Sequence, residues 1–417
     1  MKRRIFVSNI IIPKQLNIEE KLALMNDDAK YEVGVDGDAE NIALLCAGDI
    51  KGKPSPPKIP KMFLSNTCVF NCAYCNCRCS RDEKRDYCNS PSELAKMAVD
   101  VAKRNGNGVF VTSAIYKSAD YTQELIAESI RIMREEYCYN GFIHAKVMPG
   151  ADPQLIYRTG KYANRLSINI EVAQSSGYKR IAKQKNKENI LGPMGNISEQ
   201  IEAAKYERRK FATSQTTQLM AGSTNESDRT IMILSKALYK KYHLKRVYYT
   251  AFQYRHEAKG YENEDLQITK TPYWRMARLY QADRLIQLYG FTPDDVTPET
   301  EPNLYEDIDP KAAWALRHLD MYPVEDNKAD FDTLIRVPGI GITYAKRIIE
   351  ARRYCTITHD ILRKMRVSLK RSIYFITCNG KYKGGNILFS PDIRRVLKTG
   401  RDELSIGNSL TDDETKK

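Results

Sequence analysis

The sequence predicts an α/β fold, a parallel sheet built from repeated strand–helix units and followed by a small α-helical module. Three observations predict it. Strand-like and amphipathic runs alternate six times between residues 61 and 253. Three cysteines crowd the loop that follows the first strand-like run. The end of the chain is strongly basic around a helical pair interrupted by Pro-Gly-Ile-Gly.

The elements follow in order. Residues 1–60 lack clear periodicity and are expected to be an N-terminal extension, with loops at Val35-Asp36-Gly37-Asp38 and Lys53-Pro54-Ser55-Pro56-Pro57. Strands are predicted over Met62–Ser65, Gly108–Ser113, Gly141–Val147, Arg165–Val172, Ser214–Met220 and Arg246–Phe252. Between them, helices are predicted over Ser92–Arg104, Gln123–Tyr137, Pro153–Tyr162, Ser198–Lys210 and Asp228–Tyr242. Such alternation implies right-handed crossovers, and residues 61–253 form the expected core domain. It does not distinguish a barrel from an open doubly wound sheet. Residues 254–325 read as a helical linker region. An exposed stretch over 254–271 is followed by helices at Tyr273–Tyr289 and Lys311–Leu319, with an acidic loop Asp294–Asp309 between them. Residues 326–417 form the basic tail, and Thr411–Lys417 is expected to fray.

A chain of 417 residues, 42% hydrophobic, has room and apolar material for two domains. No apolar run approaches the length of a membrane span. Met1–Ile12 begins like a signal peptide, but its apolar stretch is short, is broken by Ser8 and Asn9, and lacks a small-residue cleavage site. A cytoplasmic protein is therefore expected. Ten cysteines in a long charged chain suit a reducing compartment and metal binding better than a disulfide framework. The formal charge is +14, and Phe331–Glu403 holds 16 Lys/Arg against 6 Asp/Glu, a net +10. That asymmetry points to a polyanion at the tail.

The cysteine loop reads Cys68-Val69-Phe70-Asn71-Cys72-Ala73-Tyr74-Cys75, a C-x3-C-x2-C spacing. Three thiolates this close can hold one iron–sulfur cluster and leave a fourth iron open to a small molecule. A zinc site is the competing reading, since Cys77, Cys79 and Cys88 lie nearby. It is disfavoured because His144 is the closest downstream histidine and no H-x3–5-H follows. Cys77 and Cys79 read as bystanders.

This segment resembles the radical S-adenosylmethionine (SAM) superfamily, and Tyr74 before the third cysteine fits its pattern. The resemblance covers roughly residues 61–253 and implies a partial (β/α)6 TIM-type barrel. It implies a [4Fe–4S] cluster on Cys68, Cys72 and Cys75. It also implies SAM on the open iron, a 5′-deoxyadenosyl radical, and an electron donor such as flavodoxin or ferredoxin. Relatives carry a Gly-Gly-Glu-like motif at the end of the second strand. This chain has Val111-Thr112-Ser113-Ala114, so Thr112 and Ser113 are the substitutes, unless this is an ordinary strand-end turn. Relatives use the fourth strand for ribose. There Ser167, Asn169 and Glu171 alternate onto one face, with Asn169 and Glu171 as cofactor candidates and Glu171 the first choice. Arg180 is a candidate for the SAM carboxylate. After the fifth strand, Gly222 would allow close approach of backbone to adenine, while Ser223 or Thr224 with downstream Glu226 and Asp228 also reads as helix capping. No catalytic residue beyond the cluster ligands is evident.

In the tail, Val337-Pro338-Gly339-Ile340-Gly341-Ile342-Thr343-Tyr344-Ala345-Lys346-Arg347 matches the helix–hairpin–helix pattern h-P-G-h-G-x3-A. Gly339 and Gly341 permit a turn that offers backbone N–H groups to phosphate at a helix N-terminus, and Lys346 and Arg347 add charge. Phosphate contacts of this kind position a duplex without reading its sequence. A hairpin used only for packing or protein contact is the alternative.

Barrel and hairpin together, with Lys179–Lys185, Ile190–Met194, Tyr273–Arg284 and Ala312–His318, resemble the putative DNA modification/repair radical SAM proteins over nearly the whole chain. The resemblance implies DNA as partner and a uracil-DNA-glycosylase-like protein as an associate. A radical enzyme acting on RNA, such as a tRNA base, is the second reading. A non-enzymatic iron–sulfur protein that binds nucleic acid is the third.

Overall fold

The six predicted strands pair in the order of the chain. In this computed structural model, which describes residues 20–25, 59–80, 86–106, 108–252, 261, 271–385 and 390–398, β1 (Lys61–Phe63), β2 (Val109–Thr112), β3 (Ile143–Lys146), β4 (Arg165–Ser167), β5 (Ser214–Ala221) and β6 (Arg246–Ala251) form one sheet, β1-β2-β3-β4-β5-β6. Every neighbouring pair is parallel. The order never reverses, so successive right-handed crossovers put the helices on one face and the sheet curls with them outside. That is a partial (β/α)6 barrel and not a doubly wound sheet, whose strand order turns back at a switch point.

The helices are α1 (Pro91–Asn105), α2 (Ala119–Glu135), α3 (Pro153–Tyr162), α4 (Ser176–Ile181), α5 (Glu188–Glu207) and α6 (Asp228–Tyr242). Their starts are written locally. Ser90 closes a capping box with Glu93 ahead of α1, with Pro91 in the first turn. Asp152 caps α3 and Ser227 caps α6. Leu94, Ala98, Ile126, Ile130, Met133 and Ile156 bury the inner helix faces against strand residues such as Val109, Val111, Ile143 and Leu166.

Four sequence expectations are corrected. The fourth strand stops at Ser167, because the Ile170 N–H turns to the Thr217 hydroxyl at 2.9 Å instead of continuing the ladder. The fifth helix starts at Glu188, ten residues earlier than expected, and runs through Gly192, Pro193 and Gly195. Buried Ile190, Met194 and Ile197 form the apolar stripe that holds it despite those breakers. The stretch 254–271 is not wholly exposed, since Tyr261 and Thr271 are buried; its remaining residues lie outside the described ones. The tail is not purely helical: β7 (Val324–Glu325), β8 (Ile376–Cys378) and β9 (Lys381–Tyr382) make a second, three-stranded sheet. These runs are too short for a period-2 signal, so only tertiary pairing reveals them.

After β6 come α7 (Tyr273–Leu288), the turn α8 (Pro293–Val296) inside the expected acidic loop, and α9 (Pro310–Arg317). The tail carries two helix pairs. They are α10 (Phe331–Arg336) with α11 (Ile342–Ala351), and α12 (His359–Lys364) with α13 (Leu369–Ser372), followed by α14 (Ser390–Leu397). Asp307 pairs with Arg394, tying the segment before α9 to α14. The expected loops at 35–38 and 53–57, the signal-like start and the frayed end lie outside the described residues. Among the described residues no helix is long and apolar enough to cross a membrane.

Candidate functional site

The cysteine loop leaves the carboxyl end of β1, where parallel α/β folds gather their sites. Main-chain bonds staple it on three sides. Val69 N–H donates to Ile115, Ala73 N–H to Ile181, and Cys79 N–H to Phe70, at 2.9, 2.9 and 3.0 Å. The Asn71 N–H donates to Gln184 Oε1, and the Tyr261 hydroxyl donates to the Asn71 carbonyl. The loop is therefore held by the segments after β2 and around α4, which fixes where its thiols stand.

Cys72 is buried, and Cys68 and Cys75 are half-buried. Burial pushes the Cys68 thiol up to about 11, with Cys75 adding to the effect. Burial also pushes Cys72 up to about 12, opposed by Lys185 and reinforced by Cys75 and Cys68. The three thiols thus feel one another's charge. Burial and mutual repulsion keep such thiols protonated unless a cation draws off the protons, and a set of soft sulfur ligands suits iron–sulfur chemistry. Among the described residues, no group of three His, Cys, Asp or Glu side chains is drawn together as for a single metal ion. A four-iron cube differs from a single ion, because it takes each thiolate on a different iron and so spreads its ligands. The Phe70 N–H lies 3.3 Å from Cys68 Sγ, a contact of the kind that tunes cluster potentials. Cys88 feels instead Ser65, Lys21, Lys117 and Glu93, and Cys79 is exposed.

Beside the thiols stands a buried ionic group. Lys185 Nζ donates to Glu171 Oε1 at 2.8 Å and to the Tyr74 hydroxyl at 3.1 Å. Burial opposes ionisation of Glu171, yet Lys185 and Lys146 outweigh it and hold the carboxyl below its usual range. Burial likewise opposes charge on Lys185, and Glu171 and Cys72 reverse it, so the ammonium stays protonated. Burial raises Tyr74, keeping its phenol neutral. Glu171 Oε2 is buried and has no hydrogen-bond partner among the described residues. A buried carboxylate oxygen left unpaired is costly. A ribose hydroxyl donating to it would remove that cost, so the residues present fit a nucleoside.

The backbone at Glu171 points the same way. Its φ is +63°, uncommon for a residue with a side chain. The Val172 N–H closes a three-residue turn onto the Ile170 carbonyl at 2.8 Å. The Glu171 N–H and C=O still bond Gln218 and Met220 of β5 at 3.0 and 2.8 Å. The strain is held by a neighbouring strand, as at many functional positions.

The other expected residues are placed as follows. Asn169 Oδ1 accepts from Lys146 Nζ at 2.5 Å. Thr112 is buried at the end of β2, and its carbonyl accepts the Leu64 N–H. The Ser113 hydroxyl is 3.4 Å from the Ser65 carbonyl, against the start of the cysteine loop. Gly222 has φ +81°, and a Cβ there would collide with the Thr271 side chain. Its N–H is taken by Glu226 Oε1. The glycine is therefore demanded by packing, and Glu226 shapes the turn while Ser227 caps α6. Arg180 is half-buried on α4. Sequence reasoning missed Lys185 and Lys146. A lysine within a parallel strand, as at Lys146, was the available signal; Lys185 sat unmarked in the basic run after Arg180.

In the tail, Gly339 has φ +87°, and a Cβ there would lie 2.8 Å from the Ser368 carbonyl of the second helix pair. A Cβ at Gly341 would lie 3.3 Å from the Tyr289 hydroxyl. Ala345 is fully buried where α10 and α11 meet, and Lys346 and Arg347 are exposed. Gly341 enters α11 with no side-chain cap.

No protein-family model matches the chain, and no curated protein does. Among solved structures it is similar to the FeFe-hydrogenase maturase HydG from Carboxydothermus hydrogenoformans, at 14% identity and TM-score 0.43, over 64% of each chain. It is also similar to methylornithine synthase (PylB), at 14% identity and TM-score 0.41, over 62% of this chain and 73% of that one. A third is coproporphyrinogen III oxidase (HemN) from Escherichia coli, described as a radical SAM enzyme, at 12% identity and TM-score 0.35, over 61% of this chain and 56% of that one. The aligned part thus spans just under two thirds of the HydG chain.

Proposed function

We propose that the protein is a radical SAM enzyme that modifies or repairs DNA. The observation that carries the first half is the meeting of Cys68, Cys72 and Cys75 with a buried Glu171–Lys185 pair whose Glu171 Oε2 is unpartnered. The three thiolates would hold a [4Fe–4S] cluster with one iron open. Bound there, the cluster would supply the electron that splits SAM and yields a 5′-deoxyadenosyl radical. Glu171 would accept a ribose hydroxyl, and Lys185 would keep that carboxylate ionised and aimed. Thr112, Ser113 and Asn169 would line the remainder, and Gly222 would hold the turn beside it. Tyr74, neutral and half-buried, would shield the thiol loop from water.

Two features support nucleic acid as substrate, the Pro338–Ala345 hairpin and the basic excess around it. Lys346 and Arg347 would contact phosphate, and Gly339 and Gly341 would shape the turn. A hairpin of this type suits a duplex backbone, so DNA is the favoured substrate and RNA the other outcome of the test. A flavodoxin- or ferredoxin-like protein would deliver the electron, which suits the cytoplasm. A uracil-DNA-glycosylase-like protein would be a separate associate.

The test is anaerobic reconstitution with iron and sulfide, then reductant and SAM, with DNA or RNA pools. Formation of 5′-deoxyadenosine supports the radical reading, and mass spectrometry of digested nucleosides identifies the modified polymer. A reconstituted protein that carries a cluster yet never cleaves SAM would reduce it to an iron–sulfur nucleic-acid binder.

A further inference from the structure

Lys311, on α9, is buried directly behind the tail hairpin. Its Nζ donates to the Ile340 carbonyl at 2.5 Å, its one hydrogen-bond partner among the described residues. The ammonium also lies 5.2 Å from the centre of the Tyr289 ring. Among the described residues no carboxylate faces it. Asp309, two residues before, is paired with Arg371, and Arg336 on α10 stacks on Phe291 and Trp314. An ammonium has three donors, and burying one with a single neutral acceptor is expensive. Burial accordingly pulls this lysine down to about 7. A strap joining α9 to the hairpin would not need a charged group.

Peptide geometry says what the charge does. The Ile340–Gly341 bond is trans, since the one cis bond among the described residues is Tyr322–Pro323. In a trans peptide the C=O and the N–H point in opposite directions. The Ile340 carbonyl points in, at Lys311, so the Gly341 N–H points away from it. That N–H has no hydrogen-bond partner among the described residues and stands at the entry to α11.

We propose that Lys311 is a positioning residue for phosphate: its ammonium, seated on the Ile340 carbonyl, orients and polarises the Ile340–Gly341 peptide so that the Gly341 N–H binds a backbone phosphate of duplex DNA. The inference rests on the reading of the hairpin as a DNA contact and names the group that drives it. Phosphate favours the charged lysine. Binding above neutral pH therefore takes up a proton, and affinity falls as pH rises from about 6 to about 9 while the lysine discharges.

The experiment uses the full chain and a short, labelled DNA duplex of mixed sequence, at constant ionic strength. Lys311→Gln keeps a donor to Ile340 but has no charge. It should bind roughly fivefold more weakly than the wild type near pH 6, and equally near pH 9, with a melting temperature that does not fall. Other titrating groups are common to both proteins and cancel in the comparison. Parallel pH profiles would overturn the role of Lys311 while leaving the DNA contact intact. No binding by the wild type at low salt would overturn both. Calorimetry of the wild type near pH 8, in buffers of different ionisation enthalpy, needs no variant. It should show net proton uptake on binding, and its absence would overturn the proposal even if the variant fails to fold.

Discussion

Lys185 and Glu171 form a buried pair 2.8 Å apart in which one carboxylate oxygen is engaged and the other has no partner among the described residues. Their side chains are 11% and 4% exposed, so neither ion is solvated by bulk water. Removing one partner of such a pair leaves an uncompensated buried charge. Glu171→Ala should therefore cost on the order of 3 kcal/mol of stability as well as SAM affinity. The double change Glu171→Gln with Lys185→Met removes both charges and should restore most of the stability without restoring SAM binding. Denaturant melts and SAM titrations on the same samples separate the two effects. If the double variant binds SAM normally, Glu171 has no place in the cofactor site.

The cysteine loop makes a second claim. Replacing Cys68, Cys72 or Cys75 by Ala should abolish the cluster and SAM cleavage. Cys77→Ala and Cys79→Ala should retain most of both, since Cys68, Cys72 and Cys75 have the required spacing and feel one another's charge. Iron and sulfide analysis after anaerobic reconstitution decides it. Full cluster content in the triple variant would show that other cysteines are the ligands.

What the sequence made legible follows from its periodicities. The parallel sheet showed because six alternations are long enough to read, and the cysteine spacing needed no structure at all. Glu171 was reachable because polar residues alternate in an otherwise apolar segment. Its turn was not, because the +63° φ depends on Gln218 and Met220 of another strand. Lys185 joins Tyr74 and Glu171 across 111 and 14 residues, and no local pattern encodes such a meeting. The small sheet of the tail failed for the same reason. Gly222 reads as a cofactor glycine in the sequence, and its +81° φ and the Thr271 side chain beside it add a packing reason that only the structure shows.

Two adjacent acids of that small sheet have opposite environments. Burial opposes charge on Glu325, but the backbone N–H groups of Gly380, Asn327 and Asn379 and the Asn327 side chain hold it down to about 2. Burial pushes Asp326 up to about 7, with Glu325 adding to it, and its Oδ1 has no partner among the described residues. A carboxyl raised in the folded state binds its proton more tightly there than when unfolded. Its contribution is fully present below about pH 4 and lost as pH rises to about 7. Asp326→Asn should thus stabilise the tail by a few kcal/mol at about pH 8 and change little near pH 4. Melts at the two pH values check this, and equal effects at both would show that Asp326 is not the titrating group.

Lys346 and Arg347 are exposed on α11, so their contribution to binding should be electrostatic and screened. Replacing both by Ala should weaken duplex binding at low salt and reduce the slope of log affinity against log salt by about 2, if each neutralises one phosphate. The melting temperature should not move. An unchanged slope would place the phosphate contacts elsewhere on the tail.

The two hairpin glycines should behave differently, although the motif treats them alike. Gly339 has φ +87°, and its missing Cβ would press on the Ser368 carbonyl at 2.8 Å, a backbone atom that cannot swing away. Gly339→Ala therefore suffers twice, from the left-handed backbone and from the collision, and should destabilise the tail by roughly 2–3 kcal/mol. Gly341 has φ −97°, a conformation open to any residue, and its Cβ would approach only the Tyr289 hydroxyl, at 3.3 Å. The ring can yield by a few tenths of an ångström, so Gly341→Ala should cost less than about 1 kcal/mol. Its effect belongs instead on binding, because a methyl group beside the Gly341 N–H would crowd an approaching phosphate. Melts and duplex titrations of the two variants should therefore rank them in opposite orders when binding is compared at temperatures where both tails are folded. If Gly341→Ala binds DNA as tightly as the wild type, the Gly341 N–H is not the phosphate donor, and the hairpin serves to pack α11 against the second helix pair.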